Sequence, residues 1–322
     1  MVNIFSIVIP VYRNAESISD LIEALSEISA QIAEDYSYAI EVVFVVDGCP
    51  DKSYNLLEKS LPTAPFTSQL LVHSRNFGSF AAIRSGLQVA RGKCFGVIAA
   101  DLQEPPELLL QFLDQLNSNA CDVVVGCREN REDPLISRLA SNTFWKLYKR
   151  FVMPEIPEKG VDVFGCNKAF RDQLLQLDEA NSSLIGLIFW LGFRRNEVMY
   201  RRSLRKYGKS AWTLKKKINY LSDSIFSFTD MPIKLLTMFG FMGLICSLLL
   251  GSFVLLIHTF GGIIVPGYTA TVLIVMFFGG LNSLGLGIVG NYAWRAFENT
   301  KGRPVAVLMS ALSFNQNLTV DR

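Results

Sequence analysis

Two aspartates stand where a chemical site would be built. Asp47 follows the apolar run Ile40–Val46 and precedes Gly48. Asp101 follows the run Cys94–Ala100 and opens Asp101-Leu102-Gln103-Glu104-Pro105-Pro106. Pro10, Tyr12 and Asn14 close an earlier run, Phe5–Val11. Two carboxylates at the carboxyl ends of strands in one sheet suit a nucleoside diphosphate. One accepts hydrogen bonds from base or ribose; the other holds a divalent cation that bridges phosphate oxygens and stabilises a leaving diphosphate. Helix capping is the competing reading for each, and Asp101 before Pro-Pro fits it well. No GxGxxG follows the first run, and GxxxxGK[ST], GxSxG and HExxH do not occur. That argues against dinucleotide, P-loop, serine-hydrolase and zinc-protease chemistry. Only two histidines exist, His73 and His258. His73 ends a strand-like run, so a structural role is expected and histidine-based catalysis is not.

The elements that must position these residues alternate. Strands are predicted at Phe5–Val11, Ile40–Val46, Gln69–His73, Cys94–Ala100 and Asp122–Gly126. Helices are predicted at Glu16–Ala33, Asp51–Ser60, Ser79–Ala90 and Pro105–Asn117. Near-continuous apolar strands between helices imply an α/β fold, with a doubly wound, mostly parallel sheet covered on both faces. In such sheets ligands bind beyond the carboxyl ends of the strands, where Tyr12, Asp47 and Asp101 fall.

The chain has 322 residues, of which 19% are charged, against about 25% in a typical soluble protein. The deficit is local: Leu235–Trp294 contains no Asp, Glu, Lys or Arg. Two transmembrane helices are predicted there, at 235–257 and 269–294, around a turn at 258–268 that holds no Lys or Arg. Each is long enough for the roughly 30 Å hydrocarbon core. Lys215, Lys216, Lys217 and Lys234 precede the pair, and Arg295, Lys301 and Arg303 follow it. The positive-inside rule places both ends in the cytoplasm. No signal peptide is evident, so residues 1–212 are expected as a cytoplasmic domain and 295–322 as a cytoplasmic tail on a multi-pass inner-membrane protein. The six cysteines form no CxxC pair and read as free thiols in a reducing compartment. A net charge of +2 and the absence of a basic nucleic-acid signature argue against a nucleic-acid partner.

Val8–Glu16, Val45–Ser53, Ser74–Gly86 and Ala100–Glu107, in this order and followed by the apolar pair, resemble the inverting family 2 glycosyltransferases of GT-A fold. More narrowly they resemble the membrane-anchored polyprenyl-phosphate branch, which includes dolichyl-phosphate mannose synthase and bacterial undecaprenyl-phosphate glucosyltransferases. The closing Gly290-Asn291-Tyr292, Arg295, Lys301 and Arg303-Pro304 resemble the bacterial members. The resemblance implies that Pro10, Tyr12, Asn14 and Asp47 contact a UDP- or GDP-linked sugar, and that Arg128 approaches its phosphates. It implies that Asp101 and Gln103 hold Mg²⁺ or Mn²⁺, and that Asp162 lies at the acceptor face. Arg202, Arg205, Gly208 and Ser210 occupy the RxxRxxGxS stretch expected on the lipid phosphate. Asp101, Asp162, Arg202 and Arg205 are thus the implied catalytic set. Four positions depart from the family pattern: Val46 and Ala99 replace aspartates, Glu16 is displaced, and Ala211 stands where a Lys is usual.

Arg194–Lys217 carries ten basic residues and one acid, Glu197. Lys215–Lys217 and the amphipathic stretch 213–234 are expected on anionic headgroups, and Arg202 and Arg205 on phosphate. A loop at Glu129–Ser141 is expected over the donor. The resemblance and the glycine-rich second span also point to a homo-oligomer. The expected reaction is single-sugar transfer to polyprenyl phosphate at the cytoplasmic face, for cell-surface glycan assembly or modification. Two rivals stand beside it: transfer to a lipid-linked saccharide or other hydroxyl, which would need Asp162 as base, and an inactive nucleotide-binding scaffold.

Overall fold

The structure, a computed structural model, describes residues 3–129, 148–150, 153–157, 161–179, 182–203, 206–207, 214–260 and 267–315. Eight strands form one sheet: β1 (Asn3–Val11), β2 (Tyr38–Val46), β3 (Thr67–His73), β4 (Cys94–Val97), β5 (Val123–Arg128), β6 (Val161–Asn167), β7 (Arg195–Tyr200) and β8 (Leu308–Phe314). Their order is β7-β5-β6-β4-β1-β2-β3-β8. The β1–β2, β1–β4, β2–β3 and β5–β7 pairs are parallel; β4–β6, β5–β6 and β3–β8 are antiparallel. The chain leaves β1 toward β2 and β3, then crosses back so that β4 lies on β1's other side. That reversal opens a crevice beyond the carboxyl ends of β1 and β4.

The strands are apolar on both sides because both sheet faces are covered. Phe5, Ile7, Ile9 and Val11 share a buried cluster with one face of α1 (Ile18–Tyr36), namely Ile18, Leu21, Leu25, Ile28 and Ile32, at helical spacing. Leu109, Phe112 and Leu113 of α4 (Leu108–Asn117) join the same cluster. The opposite β1 face presents Val8 to α3 (Ser79–Val89): a Cβ at Gly86 would meet the Val8 side chain at 2.3 Å. α2 (Ser53–Ser60) connects β2 to β3, while α5 (Lys168–Gln176) and α6 (Leu184–Trp190) lie between β6 and β7.

Two predicted boundaries move. The strand expected to run to Ala100 ends at Val97, and the helix expected from Pro105 starts at Leu108. Pro105 and Pro106 instead make turns, accepting from Leu108 N and Leu109 N at 3.0 Å each. The loop that carries Asp101 thereby grows to ten residues, 98–107. The C-terminal tail is not free either, since Leu308–Phe314 pairs along β3.

The chain divides into two units, Met1–Tyr220 with Pro304–Arg322, and Leu221–Arg303. α7 (Leu214–Phe228) occupies the expected amphipathic stretch and stops before Met231. The second unit contains α8 (Met231–Thr259) and α9 (Tyr268–Thr300), which enclose both predicted spans. Met231–Leu250 and Ile274–Thr300 are long and apolar enough to cross a membrane, and most of their described Leu, Phe and Met side chains are exposed. Arg295 pairs with Asp223 at 2.7 Å and donates to Asn291 at 3.0 Å, and Tyr292 Oη donates to Thr229 O at 3.2 Å. The closing motif is therefore a latch between helices. Of the glycines read as packing positions, Gly285 faces Leu236 closely, whereas Gly279, Gly280, Gly287 and Gly290 meet no atom within 4 Å.

Leu312 and Phe314 of β8 pack against the core beside β3, and an uncovered β3 would present an apolar edge. Deleting Leu308–Phe314 should accelerate amide exchange across Thr67–His73 and lower the thermal midpoint. Unchanged exchange in β3 would show that the strand contributes no protection.

Candidate active site

The turn after β1 is docked on the turn after β2. Arg13 N donates to Cys49 Sγ (2.9 Å), Asn14 N to Ser53 Oγ (3.1 Å) and Ala15 N to Asp51 Oδ2 (3.1 Å). Asn14 Oδ1 accepts from Tyr12 N at 3.0 Å. Ser17 Oγ reaches Ala100 O at 2.8 Å, which ties this turn to the loop after β4. Arg13 at φ +58° and Leu102 at φ +54° are non-glycine residues in the left-handed region, one in each loop. Such backbone carries strain that tends to collect at functional sites.

Asp47 is 2% exposed. Its carboxylate accepts from Phe77 N (2.8 Å) and Gly78 N (2.7 Å) and pairs with His73 Nδ1 (2.8 Å). A carboxylate on Nδ1 places the ring proton there, leaving Nε2 to accept from Ser85 Oγ at 2.9 Å. His73 is structural, as expected, and Asp47 fixes the loop at Ser74–Gly78. Gly48, at φ +56°, lies against that loop: a Cβ there would stand 2.3 Å from Arg75 C and Asn76 N. Neither aspartate caps a helix. The N-cap of α2 is Lys52 and that of α4 is Glu107, so the capping alternative is set aside.

The second cluster is assembled by strand direction. Parallel β5 and β7 end side by side at Arg128 and Tyr200. Antiparallel β6 begins at the same edge, with Val161 opposite Cys127. Asp162 therefore meets Arg128, which donates to it through both Nε and Nη2, the latter at 2.8 Å, while Tyr200 Oη donates to Oδ2 at 2.9 Å. Burial works against the Arg128 charge, but Asp162 holds its pKa above the ordinary value. Burial, with Asp162 and Glu104 nearby, pushes the Tyr200 phenol up. The residues expected on donor phosphates and at the acceptor face, Arg128 and Asp162, are thus partners.

The loop after β4 is stitched to the segment after β7. Gln103 N donates to Asp101 Oδ1 (3.3 Å), Ser203 N to Gln103 O (2.8 Å) and Gln103 Nε2 to Ser203 O (3.3 Å). Arg202 Nη2 donates to Gln103 Oε1 at 2.7 Å. Its Nε stands 3.4 Å from Oε1 of Glu104, a residue only 2% exposed. Burial pushes the Glu104 carboxyl up to about 7; Arg202 pulls it back, while Asp101 and Asp162 add to the rise. Sequence reasoning gave Glu104 and Tyr200 no role. The available signals were a carboxylate inside the Asp101 motif and a tyrosine two residues before Arg202. Arg205, Gly208 and Ser210, and the donor loop beyond Glu129, lie outside the described residues.

A mixed α/β sheet with its loops gathered at the carboxyl edge is the architecture of GT-A transferases. Residues 6–177 match the family described as glycosyl transferase family 2, and the chain belongs to that family. An uncharacterized glycosyltransferase of Synechocystis is 31% identical over 93% of this chain and 93% of its own length. A bactoprenol glucosyl transferase of Shigella phage SfX is 28% identical over 95% and 98%. A prophage bactoprenol glucosyl transferase homolog of Escherichia coli is 27% identical over 94% and 97%. Among solved structures, glucosyl-3-phosphoglycerate synthase from Mycobacterium tuberculosis with Mn²⁺, UDP and glucosyl-3-phosphoglycerate is similar at TM-score 0.48 and 15% identity, over 69% of this chain and 77% of that one.

The raised Glu104 pKa has a definite linkage sign. The folded carboxyl keeps its proton between its ordinary 4.5 and about 7, while the unfolded one loses it. Stability from this group is complete below 4.5 and declines as pH rises to about 7, by roughly 3 kcal/mol. Glu104→Gln should remove that decline. Parallel pH profiles of thermal stability for wild type and variant would refute the assignment.

Proposed function

We propose that the chain transfers one sugar from a UDP- or GDP-linked donor to a polyprenyl phosphate at the cytoplasmic membrane face, inverting the anomeric centre. The observation that carries this reading is the union, in one chain, of a family 2 domain and two long helices with exposed apolar surfaces. Relatives named bactoprenol glucosyl transferase match along that whole length. The basic residues outside the helices support a hairpin with both ends cytoplasmic. Lys215–Lys217 would hold anionic headgroups. Self-association of the chain is part of the same reading.

The donor would enter the crevice between the loops after β1 and β4. Pro10, Tyr12 and Asn14 line its first wall, and Asp47 shapes the nucleotide end through the loop it anchors. Asp101 and Gln103 offer a carboxylate and an amide oxygen, hard donors of the kind Mg²⁺ or Mn²⁺ takes. Among the described residues no group of three or more His, Cys, Asp or Glu could hold a metal. The donor set therefore suits a cation completed by water and substrate phosphate, for which one or two carboxylates are enough. Bound there, it would neutralise charge on the leaving diphosphate.

The residues of the chain do the rest by position and charge. Arg128, held bidentately, faces the phosphates with a fixed guanidinium. Arg202, with Arg205 and Ser210, would take the lipid phosphate. That phosphate is already an anionic nucleophile, so alignment with the anomeric carbon matters more than proton removal. A hydroxyl acceptor would require a base, and Asp162 is poorly placed for that work because Arg128 and Tyr200 occupy both its oxygens. Its pairing favours the phosphate acceptor over the saccharide-lipid reading.

Purified protein, a panel of labelled nucleotide sugars, Mg²⁺ or Mn²⁺ and undecaprenyl phosphate test the proposal directly. An organic-soluble, acid-labile labelled product is expected, and Asp101→Ala should reduce it to background. Near-normal rates in that variant would sink the metal assignment. Transfer only to a saccharide-lipid, or donor binding without turnover across the panel, would replace the reading by one of its rivals.

A further inference from the structure

Glu104 carries a polar cost that the fold does not explain. Its Oε2 is buried without a hydrogen-bond partner, and Arg202 Nε, facing its Oε1 at 3.4 Å, is also buried without one. Buried polar groups in folded proteins are nearly always paired, so an exception calls for a reason. An apolar side chain of similar length would fill the same space without that penalty. The carboxylate instead stands beside an arginine that has one other anchor here, the Gln103 oxygen on Nη2.

We propose that Glu104 is a positioning residue for Arg202: together with Gln103 it fixes the guanidinium by its Nε–Nη2 edge, so that the remainder meets an anionic phosphate of the substrate. This rests on the functional reading above. With the Gln103 bond alone, the guanidinium can pivot about Nη2 through many side-chain rotamers. A carboxyl oxygen facing Nε removes that freedom before substrate arrives, which is the condition for electrostatic stabilisation without reorganisation. Gln103 and Glu104 are adjacent in one loop, and the same loop is bonded to Ser203 through its backbone. The clamp and the arginine thus move as one piece.

A double-mutant cycle on the full chain in detergent decides the matter. Glu104→Met should lower kcat/KM at least tenfold while leaving the thermal midpoint at neutral pH equal to or above wild type. The same change in an Arg202→Ala background should cost less than twofold. Glu104→Gln, whose amide oxygen can accept from Nε, should recover to within about threefold of wild type. If Glu104→Met does not fold, Glu104→Ala takes its place in the cycle. A rise in KM for undecaprenyl phosphate assigns Arg202 to the lipid phosphate; a rise in KM for the nucleotide sugar assigns it to the diphosphate. Calorimetric binding of inorganic pyrophosphate repeats the cycle without turnover, with at least fivefold weakening expected for Glu104→Met only when Arg202 is present. If wild type transfers nothing to undecaprenyl phosphate, the functional reading fails while the pyrophosphate cycle still tests the clamp. Equal effects of the Glu104 change with and without Arg202, or pyrophosphate binding that is equal or absent in all four proteins, overturn the proposal.

Discussion

One strand running against its neighbours decides which residues meet. Were β6 parallel to β4 and β5, its second residue would lie at the amino edge of the sheet, about the length of a strand from the chemistry. Because it is antiparallel to both, its start coincides with their ends, and Asp162 arrives beside Arg128 and Tyr200. The edge that receives a ligand in a parallel sheet thereby gains a carboxylate that a parallel strand in that place would have put out of reach. Gly126 and Gly165, where an added Cβ would meet Val163 at 2.6 Å and Phe112 at 3.0 Å, let the strands and α4 close tightly around this reversed strand.

Charge at that edge is organised in pairs of unequal burial. Arg128 and Asp162 form a bidentate, partly exposed pair, and a guanidinium held this way presents a defined face to phosphate. Arg202 faces a carboxylate that is almost completely buried and whose pKa is raised to about 7. A buried ion pair gives little net stability, because desolvation offsets attraction. Its presence is better explained by what it orients. The two arginines thus differ in kind: one is held bidentately by a partly exposed partner, the other by a buried carboxyl whose pKa is raised to about 7.

Much of this was legible in the residues. The apolar runs and the turns after them located β1 to β5 and the loops carrying Tyr12, Asp47 and Asp101, because strands buried on both faces leave an almost unbroken apolar signature. The charge-free block located α8 and α9. Other features were not legible, for physical reasons. Arg128 and Asp162 are separated by a segment whose path composition does not reveal, so their pairing depends on strand direction alone. Glu104 meets its charged partner, Arg202, from nearly a hundred positions away. Of Val46 and Ala99, read as lost carboxylates, Val46 is buried and Ala99 half-buried, both near the ends of apolar runs. Asp47 joins two loops through Phe77 N and Gly78 N, and Asp101 accepts from Gln103 N within its own loop.

The last strand shows how the two units are bound to one history. The second unit is joined to the first at both of its ends, at Tyr220–Leu221 and Arg303–Pro304. The two long helices of the second unit therefore lie between β7 and β8 in the chain. Leu308–Phe314 follows both long helices in the chain, so β3 gains its partner strand only after both have been made. Every residue of β3 is buried, so until then the sheet has an unpaired apolar edge of the type that invites association. Alternation in Leu308–Phe314 turns Ser310, Leu312 and Phe314 inward and leaves Met309, Ala311 and Ser313 exposed, as a one-sided edge strand requires. Completion of the sheet thus waits on a strand that comes after both long helices in the chain: a chain that ends before Leu308 lacks the strand that pairs along β3.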